Sequence, residues 1–331
     1  MNSDAVSARA CRRHRTALTA VLTLPLLAVT ACGTSGGSGT PGGIDQPSQP
    51  PAGTATSGGT TGTPAPSAPS APSASTAPGT TPAPSTSGGT GTAAKQIRTA
   101  VYFLHGEQVS PAPRTVTAPA TATGAVRALL AGPSRYESAH SRTTAIPSGT
   151  TLHSVVVRDH VATVDLSGRY DDGGGSLSMR ARLAQVVFTV TRFPSVHSVR
   201  FEMDGKQVKY FGGEGIVLNG PVGRADFEDV APAVLMESPL LGDTTRTPLR
   251  VWGSADTFEA VFRLKVTDTT GHTAADVRVK ATSGTGTRGT FDVTFPYKAV
   301  RGGPGLLTAY YLSPKDGKPV TVDTVPLTVN R

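Results

Sequence analysis

Between residues 33 and 94 the chain is built almost wholly from Gly, Ser, Thr, Pro and Ala; Asp45 is its only charge and Ile44 its only large aliphatic residue. Such a composition cannot bury enough apolar surface to offset the entropy lost in ordering a chain. A packed core is therefore expected only in residues 95–331. The stretch before it reads as a stalk, a flexible coil with a root-mean-square reach of roughly 40–50 Å that its prolines would extend. Its Thr, Ser and Pro content leaves O-linked glycosylation open as a second use.

The residues ahead of the stalk give it a purpose. Arg9, Arg12, Arg13 and Arg15 form a positive start, Ala17 to Val29 an apolar run, and Val29-Thr30-Ala31-Cys32 a small-residue ending. The apolar run is too short and too interrupted for a membrane-spanning helix, which needs about 20 apolar residues. The pattern resembles a bacterial lipoprotein signal. That resemblance implies cleavage between Ala31 and Cys32, with diacylglycerol carried on the Cys32 thiol. Two or more acyl chains hold a protein firmly to a bilayer, where one does not. Arg12-Arg13 leaves the export route open between the general secretory and twin-arginine systems. The only other cysteine, Cys11, lies in the removed segment. The mature chain is then expected to be stabilised by apolar cores without an internal disulfide.

The formal net charge is +8, and its distribution argues against nucleic acid as a partner. Residues 95–213 carry fourteen Lys/Arg against eight Asp/Glu, whereas residues 214–331 carry thirteen of each. A mildly basic first domain outside the cytoplasm fits anionic lipid or anionic wall polymer, or simply a solvated Arg-rich surface. The Ala-, Gly-, Thr-, Pro- and Arg-rich, Lys-poor composition points to a high-GC, actinobacterial-type source.

Residues 95–213 read as an α+β domain of order β-α-β-β-α-β-β, a mixed sheet with two helices. Arg98 to Leu104 is the first strand, which Pro111 and Pro113 are expected to keep from continuing. Ala125, Val126, Leu129 and Leu130 recur at helical spacing, stopped by Gly132-Pro133. Leu152 to Arg158 and His160 to Leu166 are paired strands with a tight turn at Asp159-His160. Asp171 to Gly175 is a loop. Ser176 or Ser178 is expected to cap a second helix, amphipathic through Leu177, Ala181, Ala184, Val187 or Phe188, and Val190. Val196 to Met203 and Gln207 to Phe211 complete the strands. Gly212 to Gly215 is expected to connect the domains, with residues 214–232 as linker and Arg224 to Asp229 as linker or outlying strand.

From residue 233 to 331 the hydrophobic period switches to two. Phe258, Ala260, Phe262, Leu264 and Val266 alternate with more polar neighbours, as do Phe291, Val293 and Phe295. Further strands are expected at Val234 to Glu237, Leu249 to Trp252, Val277 to Ala281, Leu306 to Leu312 and Val320 to Val329. About seven short strands without helix signals make an immunoglobulin-like sandwich.

Several strings carry a family resemblance. L-L-A-G-P at 129–133, I-P-S-G-T at 146–150, V-A-T-V-D-L-S at 161–167 and R-F-P-S-V-H-S-V-R-F at 192–201 resemble the sporulation and spore germination (GerMN) domain. S-P-L-L-G at 238–242, V-W-G-S-A-D-T-F-E-A at 251–260, R-G-T-F at 288–291 and S-P-K-D-G-K at 313–318 resemble the immunoglobulin-like domain of bacterial spore germination proteins. The first resemblance implies a fold similar to ring-building modules of envelope assemblies. It brings no catalytic residues.

No constellation for chemistry stands out from the residues themselves. There is no serine elbow beyond the stalk, and His105, His140, His153, His160, His197 and His272 lack metal-ligand spacing. Asp171-Asp172 lacks the further acidic ligands of a calcium loop. Asp165 reads as a strand-end acceptor of backbone N–H groups. Trp252, the only tryptophan, reads as core or core edge, with a sugar-stacking platform as the alternative. The expectation is a lipid-anchored, extracytoplasmic protein without cofactor, metal or catalytic residues. Its site residues would be Ala31 and Cys32, at the cleavage and lipidation point. Its partners would be the membrane, through the lipid on Cys32, and an unidentified envelope protein or a second copy. Wall glycan or an accessory role in envelope signalling is the alternative.

Overall fold

The computed structural model describes residues 94–213 and 215–331. Ala31, Cys32 and the stalk lie outside the described residues. Among the described residues no helix is long and apolar enough to cross a membrane.

The first domain opens with a hairpin of β1 (Gln96–His105) and β2 (Gln108–Thr117). Two helices follow, α1 (Thr121–Leu130) and α2 (Arg135–Ala139), then the short β3 (Arg142–Thr143). A second hairpin pairs β4 (Leu152–Arg158) with β5 (Val161–Leu166). The long α3 (Ser176–Val190) leads to β6 (Ser198–Met203), β7 (Lys206–Gln207), β8 (Tyr210–Phe211) and β9 (Ile216–Val217). One sheet has the order β2-β1-β3 and the other β4-β5-β6-β7. The second is mixed, because β5 and β6 run parallel while the other pairs are antiparallel. The α+β class holds.

Several elements differ in detail from expectation. Pro111 and Pro113 sit inside β2, opposite Tyr102 and Ala100. They are tolerated because β2 is the edge of its sheet, where a residue without an N–H need serve no second neighbour. Neither Ser176 nor Ser178 caps α3: Gly175 holds the N-cap position, with no side-chain cap bond. The helix α2, not expected from the sequence pattern, carries a capping box of Ser134 with Glu137, an S-x-x-E signal. Asp159 and His160 both take positive φ, 48° and 61°, as a two-residue primed turn requires. Gly212 to Gly215 is no interdomain connection but the turn joining β8 to β9.

The helix α3 is buried nearly all round from Met179 to Val190. Its strand-like V-V-F-T-V segment is overridden by enclosure. Two of its buried polar residues, Gln185 and Thr189, face the backbone of β1. Thr189 Oγ1 accepts from the Tyr102 N–H at 3.0 Å, and Gln185 Nε2 donates to the Tyr102 carbonyl at 3.0 Å. The stretch expected as linker is built into this domain. Residues Arg224–Val230 form a 3₁₀ segment, and Phe227, Val230 and Ala231 join the first domain's core.

The second domain is a two-sheet sandwich. Its strands are β10 (Val234–Ser238), β11 (Thr244–Thr245), β12 (Leu249–Ala255), β13 (Val261–Thr267), β14 (Thr273–Lys280), β15 (Gly289–Phe295), β16 (Gly303–Leu312) and β17 (Pro319–Val329). One sheet runs β10-β12-β15, the other β11-β17-β16-β13-β14. Phe262, Leu264 and Val266 point inward as the alternation requires. Phe258 does not. It is 60% exposed, because the strand begins only at Val261, and Glu259 and Ala260 before it take positive φ that breaks the pleat. The glycine- and proline-rich Gly303 to Gly305 opens β16.

Candidate functional site

The two domains meet along β10, and a strand's period of two explains how. Val234 and Met236 enter the sandwich core, while Leu235 belongs to the core of the first domain. Glu237 shares the face of Leu235. It is a buried carboxylate, 4% exposed, directly after the apolar run Val234 to Met236.

Three groups converge on Glu237. Tyr102 Oη donates to Oε2 at 2.6 Å, and Arg192 Nη1 donates to the same oxygen at 2.8 Å. Arg224 Nη1 donates to Oε1. Each donor is positioned by a separate element. Tyr102 lies in β1. Arg192 follows the C-terminus of α3, where a cation complements the helix dipole. Arg224 opens the 3₁₀ segment, and its Nη2 donates to the Phe188 carbonyl at 3.2 Å, satisfying one of the orphan acceptors at the end of α3. The Arg224 guanidinium also stacks 4.8 Å from the Phe188 ring centroid and 5.3 Å from that of Tyr102.

Burial, with the Glu237 charge adding to it, pushes the Tyr102 phenol far above its ordinary value. Burial works against the charge on Arg224, but Tyr102 and Glu237 more than offset it and hold the guanidinium protonated. Within the cluster, neither the Tyr102 phenol nor the Arg224 guanidinium is poised to exchange a proton near neutrality. It satisfies a buried charge completely, which is what makes such a charge tolerable. Its chemistry is cohesion between domains.

The same junction opens into a groove of about 840 Å³. One wall is the end of α3 with Arg224; the other is the outer face of β12 and β15. The floor includes Trp252. Its ring stacks against Arg192, whose Cζ lies 4.4 Å from the ring centroid. Trp252 is thus half-buried at a domain boundary and not in the sandwich core: it sits in the middle strand of its sheet, on the face turned away from the other sheet. Further along, Arg250 Nε donates to Asp292 Oδ1 at 2.8 Å. Elsewhere the junction is tied by Arg142 Nη2, which donates to the Thr324 carbonyl at 3.1 Å, and by the Arg98–Asp243 pair.

The other residues singled out in the sequence are not gathered here. Asp165 Oδ1 accepts from the Gly205 N–H at 3.1 Å, the strand-end role expected of it. Asp171 Oδ1 accepts from the Gly212 N–H at 2.7 Å. His160 and His197 stack with ring centroids 4.4 Å apart, while His105, His140, His153 and His272 are dispersed. Among the described residues no three His, Cys, Asp or Glu side chains are grouped to hold a metal. The sequence reading missed Tyr102, Arg192, Arg224 and Glu237. The one available signal was the glutamate inside V-L-M-E, a charge in a run whose neighbours on both faces are apolar.

Comparison with known proteins follows the same division. Residues 100–209 match the family model described as sporulation and spore germination. Residues 233–318 match that of the immunoglobulin-like domain of bacterial spore germination. No curated protein matches the chain. Among solved structures, a Clostridium perfringens protein assigned as a lipoprotein is 21% identical, over 41% of this chain and 93% of that one, with a TM-score of 0.31. The tandem GerMN domains of the Bacillus subtilis sporulation protein GerM are 12% identical, over 61% of this chain and 62% of that one, with a TM-score of 0.34. The first of those domains alone is 18% identical, over 39% of this chain and 98% of that one, with a TM-score of 0.32.

Proposed function

Since the chain joins a GerMN-like domain of the sporulation and spore germination family to an immunoglobulin-like domain of bacterial spore germination, we propose that it is a lipid-anchored envelope protein whose two domains act together as a non-catalytic interaction module. The observation that carries this reading is the Glu237 cluster. A carboxylate shared by β1, the end of α3 and the 3₁₀ segment makes the domain pair one body, with its fullest set of charged contacts spent on cohesion. Cys32 carries the anchor, and the stalk from 33 to 94 sets the module away from the lipid. The partner is another envelope protein or a second copy of the chain.

In-cell crosslinking of the tagged chain, followed by mass spectrometry, tests this, with Cys32→Ser as the unanchored control. Reproducible protein partners that depend on Cys32 are the expected result. Recovery of background proteins alone, or turnover of an added wall or peptide substrate that a carboxylate substitution abolishes, would overturn it.

A further inference from the structure

We propose that the groove at the domain junction binds an acidic saccharide, a sugar bearing a carboxylate. This goes beyond the interaction module described above and does not depend on the lipid anchor.

The charge of the lining is the first argument. Three guanidinium groups, those of Arg192, Arg224 and Arg250, face two carboxylates, Glu237 and Asp292. Both carboxylates are already engaged, Glu237 by Arg192, Arg224 and Tyr102, and Asp292 by Arg250. One positive charge is left over, and it has donors to spend. Among the described residues Arg192 donates only through Nη1, which leaves Nε and Nη2 unused. The Trp252 ring beneath it and the bond to Glu237 hold this guanidinium in place. A guanidinium so held, with free N–H groups, is a ready fork for a carboxylate.

The second argument is what surrounds that fork. The hydroxyls of Ser254 and Thr290 on the sheet wall, and of Thr282 after β14, line the same groove; Ser254 accepts from Arg288 Nη1 and Thr282 from the Thr290 N–H, and all three keep an O–H to donate. An aromatic ring, a row of hydroxyls and a planar cation together suit a ring-shaped ligand with several hydroxyls and one negative charge. A simple carboxylate would use the fork alone, and a neutral sugar only the hydroxyls. The volume, about 840 Å³, lies within the range of sites that enclose small ligands.

Trp252 is the only tryptophan in the full chain, so its fluorescence reports on this groove and nothing else. The titration uses the full chain and four probes. These are the disaccharide of N-acetylglucosamine and N-acetylmuramic acid, a glucuronate oligomer, neutral chitobiose and acetate. A saturable change with either or both acidic sugars, at least tenfold tighter than with chitobiose or acetate, is expected, and which of the two binds tells wall glycan from other acidic polysaccharide. Arg192→Gln should weaken binding about tenfold or more, as loss of a charge-assisted pair does. Because Arg192 also holds Glu237, Thr290→Val provides an independent check at an exposed strand position whose hydroxyl makes no hydrogen bond among the described residues, expected to weaken binding about threefold or more. No spectral response to either acidic sugar at millimolar concentration, equal response to chitobiose or acetate, or unchanged affinity in both variants would overturn the proposal.

Discussion

Removing the Glu237 side chain should be among the most damaging single changes available in this fold. Glu237→Ala leaves two guanidinium groups and a phenol without their shared acceptor, at a site where the carboxylate side chain is 5% exposed. Breaking a buried pair by deleting one partner costs about 3–5 kcal/mol. The Arg192 and Arg224 side chains are 21% and 28% exposed and recover some hydration, so the lower end, about 3 kcal/mol, is the working figure. With a urea slope of about 3 kcal/mol/M for a fold of this size, the unfolding midpoint should fall by about 1 M. Asp292→Ala is the control. It removes an ion pair of the same composition, but both partners are mostly exposed, and solvent screens such pairs, so its midpoint should stay in place. A fall of less than about 0.2 M for Glu237→Ala, or one matched by Asp292→Ala, would refute the claim that the buried cluster holds the domains together.

Three other outcomes follow from the structure and the proposed anchor. A Cβ on Gly253 would overlap the Leu235 carbonyl oxygen and lie 3.1 Å from the Glu237 N, so Gly253→Ala should destabilise by about 3 kcal/mol in a thermal melt through loss of the β10–β12 pairing; a melt within error of wild type would contradict this. Asp268 is held well below the ordinary carboxylate range, first by the Thr270 hydroxyl and then by the N–H groups of Thr270, Val300 and Arg301. Its depressed folded-state value means that it stabilises above the unfolded value near pH 4 and that this is lost as pH falls through the folded value. The difference in urea midpoint between wild type and Asp268→Asn should therefore shrink from pH 7 to about pH 3, and a constant difference would count against the assignment. Cys32→Ser should move the protein from the carbonate-washed membrane fraction to the soluble one; persistence in the membrane at the wild-type ratio would remove the lipid anchor from the account.

The sequence made the two domains and most of their strands legible, because strand periodicity and Gly/Pro punctuation are local signals. The turn at Asp159-His160 and the stop at Gly132-Pro133 could be read for that reason. What escaped depended on neighbours distant in the chain. Pro111 and Pro113 are compatible with β2 only because that strand lies at an edge. The strand-like residues at the end of α3 are helical because β1 and the 3₁₀ segment enclose them. Arg224 read as linker since its partners, Phe188, Tyr102 and Glu237, come from three other places. Trp252 looked like a core residue because alternation gives the face of a strand but not what covers it. The junction as a whole was hidden for the same reason: β10 serves two cores, and a run of buried residues does not say that its two faces belong to different domains.

The central claim, that the two domains act as one body, is tested most directly by native-state amide hydrogen exchange over a series of urea concentrations below the unfolding midpoint. Amides of β1 around Tyr102 and of β10 and β12 from Leu235 to Trp252 should merge into one opening isotherm with the same slope, the signature of a single cooperative unit. Separate isotherms, with the sandwich amides opening at a lower free energy and a smaller slope than those of β1, would contradict it.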